Sequence, residues 1–174
     1  SVGEVDRLLA HLEVQALGNL DPRIHFAVLS DFKDAPTLSV AGDDEILTAA
    51  VAGIEALNRR HAPDENDRFF LFHRDRRWNP KQDVFMGWER KRGKIEALNR
   101  LLRSPDDTGF SVKIGDLSVL PSVRYVLTLD ADTRLPRGAA RTLIGIISHP
   151  LNRPMVDAAL RQVTEGYGIL QPRV

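Results

Sequence analysis

Cysteine is absent from all 174 residues. That removes disulfide frameworks, thiolate metal sites and cysteine nucleophiles, and it suits a reducing compartment. Long hydrophobic runs are missing too. Stretches such as Leu143–Ser148 and Tyr125–Leu129 fall far short of the roughly 20 apolar residues that a membrane-spanning helix needs. The first residues, Ser1 to Asp6, are neither basic nor followed by an apolar core, so no signal peptide is read there. The chain opens on Ser1 rather than Met, as expected of a piece of something longer. Excess charge of one sign is also lacking, since 24 Lys and Arg balance 24 Asp and Glu.

The balance hides an asymmetry. Residues 1–67 carry 5 basic and 13 acidic side chains, residues 68–103 carry 11 and 4, and residues 104–174 carry 8 and 7. The basic middle block is a solvated face, a nucleic-acid patch or a cradle for a phosphorylated small molecule. The acidic block beside it speaks against nucleic acid, because it repels a phosphate backbone.

With 43% hydrophobic residues the chain suffices for one domain with a sizeable core. Val5, Leu8, Leu9, Leu12 and Ala16 recur at helical spacing, predicting a helix over 5–17 that stops at Gly18. Ile24–Leu29 reads as a strand ending in the polar Ser30-Asp31. Asp43, Asp44 and Glu45 open a second helix that Arg59 and Arg60 close, charges that suit its dipole. Phe69–His73 is a second strand, Arg74–Gly87 a long loop, and a third helix begins near Gly93. Phe110–Ile114 and Leu117–Leu120 read as strands that form either a hairpin or an irregular edge. Val123–Leu129, rich in β-branched and aromatic residues, carries the pattern of a strand buried on both faces. A fourth helix is expected over Arg137–His149, and Gly168–Val174 is expected to be extended. The alternation predicts an α/β fold, a sandwich with a mostly parallel sheet.

Ligands of such sheets bind beyond the carboxyl ends of the strands. Ser30-Asp31, His73-Arg74 and Asp130-Ala131-Asp132 fall there. Two carboxylates one residue apart either share a hard cation, and through it a diphosphate, or cap a turn. Gly93 and Lys94 lie at a helix start, where free N–H groups favour anions. Trp78 and Trp88 either stack on a base or sugar or pack as local anchors. The five histidines have no metal-ligand spacing and are assigned no role.

An acid after the second strand in the family's order (Ser30-Asp31), a Gly-Lys-x-x-Ala-Leu-Asn helix (Gly93 to Asn99) and an apolar strand ending in Asp130-Ala131-Asp132 resemble the donor half of processive, inverting GT-A glycosyltransferases. The fuller stretches Phe85–Lys94, Thr128–Pro136 and Gly166–Val174 resemble the central glycosyltransferase region of cyclic β-1,2-glucan synthases, and the resemblance runs over essentially all of residues 1–174. It implies a GT-A Rossmann-like nucleotide-binding half in a three-layer sandwich, and transfer of glucose from UDP-glucose, with Mg²⁺ or Mn²⁺, onto a β-1,2-glucan acceptor. The parent protein would be large and held in the bacterial inner membrane, with this region on the cytoplasmic face. Asp31 would contact uracil, Lys94 would lie near the nucleotide, Asp130 would contact the ribose or metal, and Asp132 would hold the metal. Arg74 and Trp88 would be neighbours. The family's general base and Gln-x-x-Arg-Trp motif have no counterpart here, so the chain alone is expected to be inactive.

Two other readings compete. One is an inert nucleotide-sugar-binding fragment. The other is a haloacid-dehalogenase-like phosphatase, whose Asp-x-Asp-x-Thr signature is broken here by Arg134 at the Thr position.

Overall fold

The computed structural model describes residues 1–62, 66–104 and 109–171. It divides into two compact units: residues 1–14 with 21–124, and residues 15–20 with 125–174.

In the first unit β1 (Phe26–Asp31) runs parallel to β2 (Phe69–Arg74), and β5 (Val112–Ile114) pairs antiparallel with the other side of β2. All six residues of β2 are buried, as expected of a central strand covered on both faces. Alternation along β2 divides its side chains between two layers. Phe70 and Phe72 pack with Ala97, Leu98 and Leu101 of α3 (Arg90–Arg103), and with Phe110, Val119 and Leu120. Leu71 and His73 face the other way, toward α1 (Val2–Gly18) and α2 (Asp43–His61), around a small apolar cavity of ≈80 Å³.

The two helices approach closely because Gly53 of α2 faces Leu9, where a Cβ would fall 2.1 Å from Leu9 Cδ1. Glu13 of α1 accepts from Arg60 at 2.7 Å and contacts His61 at 2.6 Å, tying the helices at the surface. Asn58 secures α2 to the sheet. Its amide donates to the Phe69 carbonyl and its oxygen accepts from the Phe69 amide, both at 2.8 Å.

The α/β class and the four helices agree with the sequence pattern, but several local expectations are corrected. The sheet is mixed, with one parallel and one antiparallel pairing, because β5 returns along β2 instead of crossing over. The expected loop Arg74–Gly87 contains a hairpin of β3 (Arg77–Asn79) and β4 (Val84–Met86), fastened by the cross-strand pair Trp78–Phe85 with ring centroids 5.1 Å apart. Leu117–Leu120 lies in a 3₁₀ helix, Leu117–Ser122, which Asp116 starts by accepting from the Ser118 amide.

Val123–Leu129 belongs to none of the three sheets formed by described residues. An extended run becomes a sheet strand only where a neighbour meets its N–H and C=O groups. Tyr125, Val126 and Leu127 are exposed.

The second unit is built around the last turn of α1, α4 (Ala139–Ile147) and a short hairpin of β6 (Met155–Asp157) and β7 (Gln162–Glu165), which the sequence reading missed. Buried Asn19 is its fastener. It accepts from the Ala140 amide at 3.1 Å and donates to the carbonyls of Gln15 and Pro136. Of the expected extended segment 168–174, residues 168–171 have no regular structure and residues 172–174 lie outside the described residues. No helix among the described residues is long and apolar enough to cross a membrane.

Candidate functional site

The parallel register sets Asp31 opposite Arg74 and Ser30 opposite His73 at the carboxyl ends of the paired strands. Asp31 has the same parity as Leu29, and Arg74 the same as Phe72, so both point to the face covered by α3. Arg74 Nε donates to Asp31 Oδ1 at 2.7 Å, and Lys94 Nζ of α3 lies 3.2 Å from Asp31 Oδ2. The Asp31 and Arg74 side chains are only 9% and 10% exposed, and that of Lys94 is 23% exposed. One carboxylate between two cations leaves a positive surplus in a half-buried place, next to the start of α3. Both features favour an anion.

Two glycines make this cluster sterically possible. A Cβ on Gly87 would lie 2.4 Å from Asp31 Cγ, and one on Gly93 would lie 2.1 Å from the Trp88 carbonyl oxygen and 2.9 Å from a terminal nitrogen of Arg74. Between them the backbone passes through left-handed Glu89 (φ 53°) and Arg90 (φ 46°), conformations that non-glycine residues rarely adopt. This turn brings the Arg90 carbonyl within reach of Arg74, which donates to it at 3.2 Å.

Through Arg74 the cluster borders a cavity of ≈620 Å³, whose lining carries the cations Arg74, Arg76, Arg77 and Arg100, the carboxylates Asp43, Asp44, Asp75 and Glu96, and also Trp88 and Gly93. That volume is in the range of small-molecule and cofactor sites. Trp78 takes the anchor role against Phe85, whereas Trp88 lines the cavity.

Beside the cluster, His73 is buried on the opposite face of the sheet. Its Nδ1 lies 2.9 Å from Ser30 Oγ, Phe32 meets its ring edge-on at 4.3 Å, and burial pushes its pKa below the usual histidine value. Burial thus disfavours its charged form, and the ring packs as part of the core.

Asp130 and Asp132 belong to the second unit. Both are exposed, on a turn in which the Thr133 amide donates to the Asp130 carbonyl at 3.0 Å. Among the described residues no three His, Asp or Glu side chains gather as a metal-ligand set. Two exposed carboxylates nonetheless fit a magnesium-type ion, which keeps several waters and completes its shell with phosphate oxygens.

Sequence reasoning thus named Asp31, Arg74, Lys94 and Trp88, which the structure gathers in one unit, and Asp130 and Asp132, which lie in the other. It overlooked buried Arg76 and the packing roles of Gly87 and Gly93. The signal was present in the charged run His73-Arg74-Asp75-Arg76 directly after an all-apolar strand, where alternation forces some charges inward.

Fold and site together define an α/β protein with a charged cavity at the carboxyl ends of its parallel strands. No protein-family model matches the chain. Over 170 residues, 98% of its length, it is 46% identical to the cyclic beta-(1,2)-glucan synthase NdvB of Rhizobium meliloti (strain 1021). The chain is a homologue of a segment of that cyclic β-(1,2)-glucan synthase, and the segment spans 6% of that protein's length.

Proposed function

We propose that the chain is the donor-binding half of a GT-A glycosyltransferase domain within a larger protein that makes β-1,2-glucan, and that it binds UDP-glucose with a divalent cation. The observation that carries this reading is the 46% identity along nearly the whole chain to a protein named for that product. The geometry of Asp31, Arg74 and Lys94 is compatible with it. Asp31 has lone pairs left on both oxygens after its two ion pairs, enough to accept from a uracil N–H. Lys94 and Arg74 supply the positive surplus that a diphosphate needs. Trp88 at the cavity wall offers a face for the base or sugar.

Asp130 and Asp132 would hold Mg²⁺ or Mn²⁺. The ion, when bound, would neutralise charge on the diphosphate leaving group. Inverting transfer also needs a base within hydrogen-bond reach of the acceptor hydroxyl, and no residue of this chain is assigned that role. The chain alone therefore binds donor without forming glucan.

Calorimetry with UDP in the presence and absence of Mn²⁺ tests the reading. Asp132→Asn is expected to remove the metal-dependent part of the affinity, because an amide lacks the charge that holds the cation. Asp31→Ala is expected to weaken UDP and UDP-glucose equally, with or without metal. A loss confined to UDP-glucose would remove the uracil assignment, and metal-independent affinity unchanged in both variants would remove the site.

A further inference from the structure

One buried guanidinium that lines this cavity has its own set of partners, different from those of the Asp31 cluster. Arg76 follows β2, and its side chain is 3% exposed. Its Nε donates to the Lys33 carbonyl at 2.6 Å, and one terminal nitrogen donates to the Leu38 carbonyl at 3.1 Å and to Asp43. The other terminal nitrogen donates to the second Asp43 oxygen at 3.0 Å, and the Phe32 ring lies 4.9 Å from the guanidinium carbon. Asp43 in turn accepts from the Val40 amide at 2.8 Å. One side chain thus joins the start and the middle of the segment between β1 and α2, at Lys33 and Leu38, to the first residue of α2. Among the described residues the segment's one sheet-like pairing is a single bridge from Ala35 to Phe85. Phe32, Leu38, Ser39 and Asp43 from this region line the ≈620 Å³ cavity.

The geometry points to Arg76 as a positioning residue: it holds residues 33–43 as a fixed wall of the cavity and thereby sets the cavity's affinity for a nucleoside diphosphate, a role that rests on the nucleotide reading above. A guanidinium suits the task because its planar fork binds the carboxylate through two nitrogens while the remaining N–H groups reach carbonyls. An ammonium has three donors and no fork, so lysine cannot replace it. The bond from Arg76 holds the Asp43 carboxyl below the usual carboxylate range, as expected of a pair that persists at neutral pH.

The test combines hydrogen exchange, read by mass spectrometry, with UDP calorimetry on the chain and its Arg76→Met, Arg76→Lys and Asp43→Asn variants. Met keeps the packing over Phe32 and loses every donor. Arg76→Met is expected to speed exchange in residues 33–43 at least tenfold, to leave Phe69–Arg74 as protected as before, and to weaken UDP at least tenfold. Arg76→Lys should fall close to it, and it takes its place if the Met variant fails to fold. Asp43→Asn should act in the same direction, and combining it with Arg76→Met should add little. Unchanged exchange in residues 33–43 would overturn the strap. Faster exchange with unchanged UDP affinity would make Arg76 merely structural. Absence of UDP binding by the unaltered chain would end the nucleotide reading and the positioning role with it, while the exchange result would still report whether Arg76 holds the segment.

Discussion

Phe69–Arg74 and Tyr125–Asp130 are both six-residue stretches of mainly aromatic and aliphatic residues ending in a charge, yet they meet opposite fates. The first is buried at every position between β1 and β5, with α2 and α3 on its faces. The second pairs with no described strand, and Tyr125, Val126 and Leu127 are 44%, 45% and 42% exposed. Composition alone does not separate them. What separates them is whether neighbours satisfy the backbone on both edges while helices cover the faces, because burying an unpaired N–H or C=O costs as much as burying a methylene or two gains. The site sits at the end of the strand that has neighbours. Its charges are placed by register, whereas Asp130 and Asp132 lie on a turn outside the described strands.

The largest effect expected from this contrast is in the core of the first unit. Phe72 is fully buried, with Phe70 and Phe110 rings 6.1 and 5.4 Å away. Phe72→Ala should cost about 3–5 kcal/mol, measured by urea denaturation, a large share of the ~5–15 kcal/mol that stabilises a domain. A cost below ~1 kcal/mol would mean that β2 is not the centre of the cooperative unit.

A smaller effect is expected at Gly93. In an exposed helix Gly→Ala would gain about 1 kcal/mol. Here the added methyl would meet the Trp88 carbonyl at 2.1 Å, and that oxygen belongs to backbone already held in a left-handed turn. The clash should outweigh the propensity gain, giving a net loss of about 1–2 kcal/mol and, because Arg74 lies 2.9 Å from the same methyl, a weaker Asp31–Arg74 pair. Thermal melting with UDP titration checks both. Net stabilisation with unchanged affinity would show that the turn before α3 is free to move.

These two positions also show what the sequence reveals. The helices of the first unit were legible from their apolar spacing, and in α2 the end charges agree with it, with Asp43, Asp44 and Glu45 at its start and Arg59, Arg60 and His61 at its end. β2 was legible because an unbroken Phe69–Phe72 run admits little but a core strand. The β3–β4 hairpin was not, since three-residue strands are too short for alternation to register, and its decisive contact is the cross-strand pair of Trp78 and Phe85. At the candidate site, Asp31, Arg74 and Lys94 could each be named from position and chemistry. That both cations converge on one carboxylate follows from a strand register, and a single-residue slip would send Arg74 to the other face of the sheet. Gly87 and Gly93 read as ordinary turn and helix-start residues until the atoms they make room for are known.

The smallest expected effect lies in the exposed run. Val126→Ser exchanges a half-exposed aliphatic side chain for a hydroxyl and leaves no buried cavity, so the lost transfer energy is a fraction of the ~1.5–3 kcal/mol that full burial of a valine supplies. Serine also gives up β propensity, worth well under 1 kcal/mol outside a paired strand. The sum should stay within about 0.5 kcal/mol, typical of surface substitutions, and the midpoint of urea unfolding should hardly move. The same exchange at Leu71, buried in β2, is the internal standard, and it should cost several-fold more. If Val126→Ser instead approaches the Leu71 variant, the run from Tyr125 is buried in solution, its backbone has found a partner strand, and the carboxylates that follow it at Asp130 and Asp132 are held by sheet register like those of the first unit.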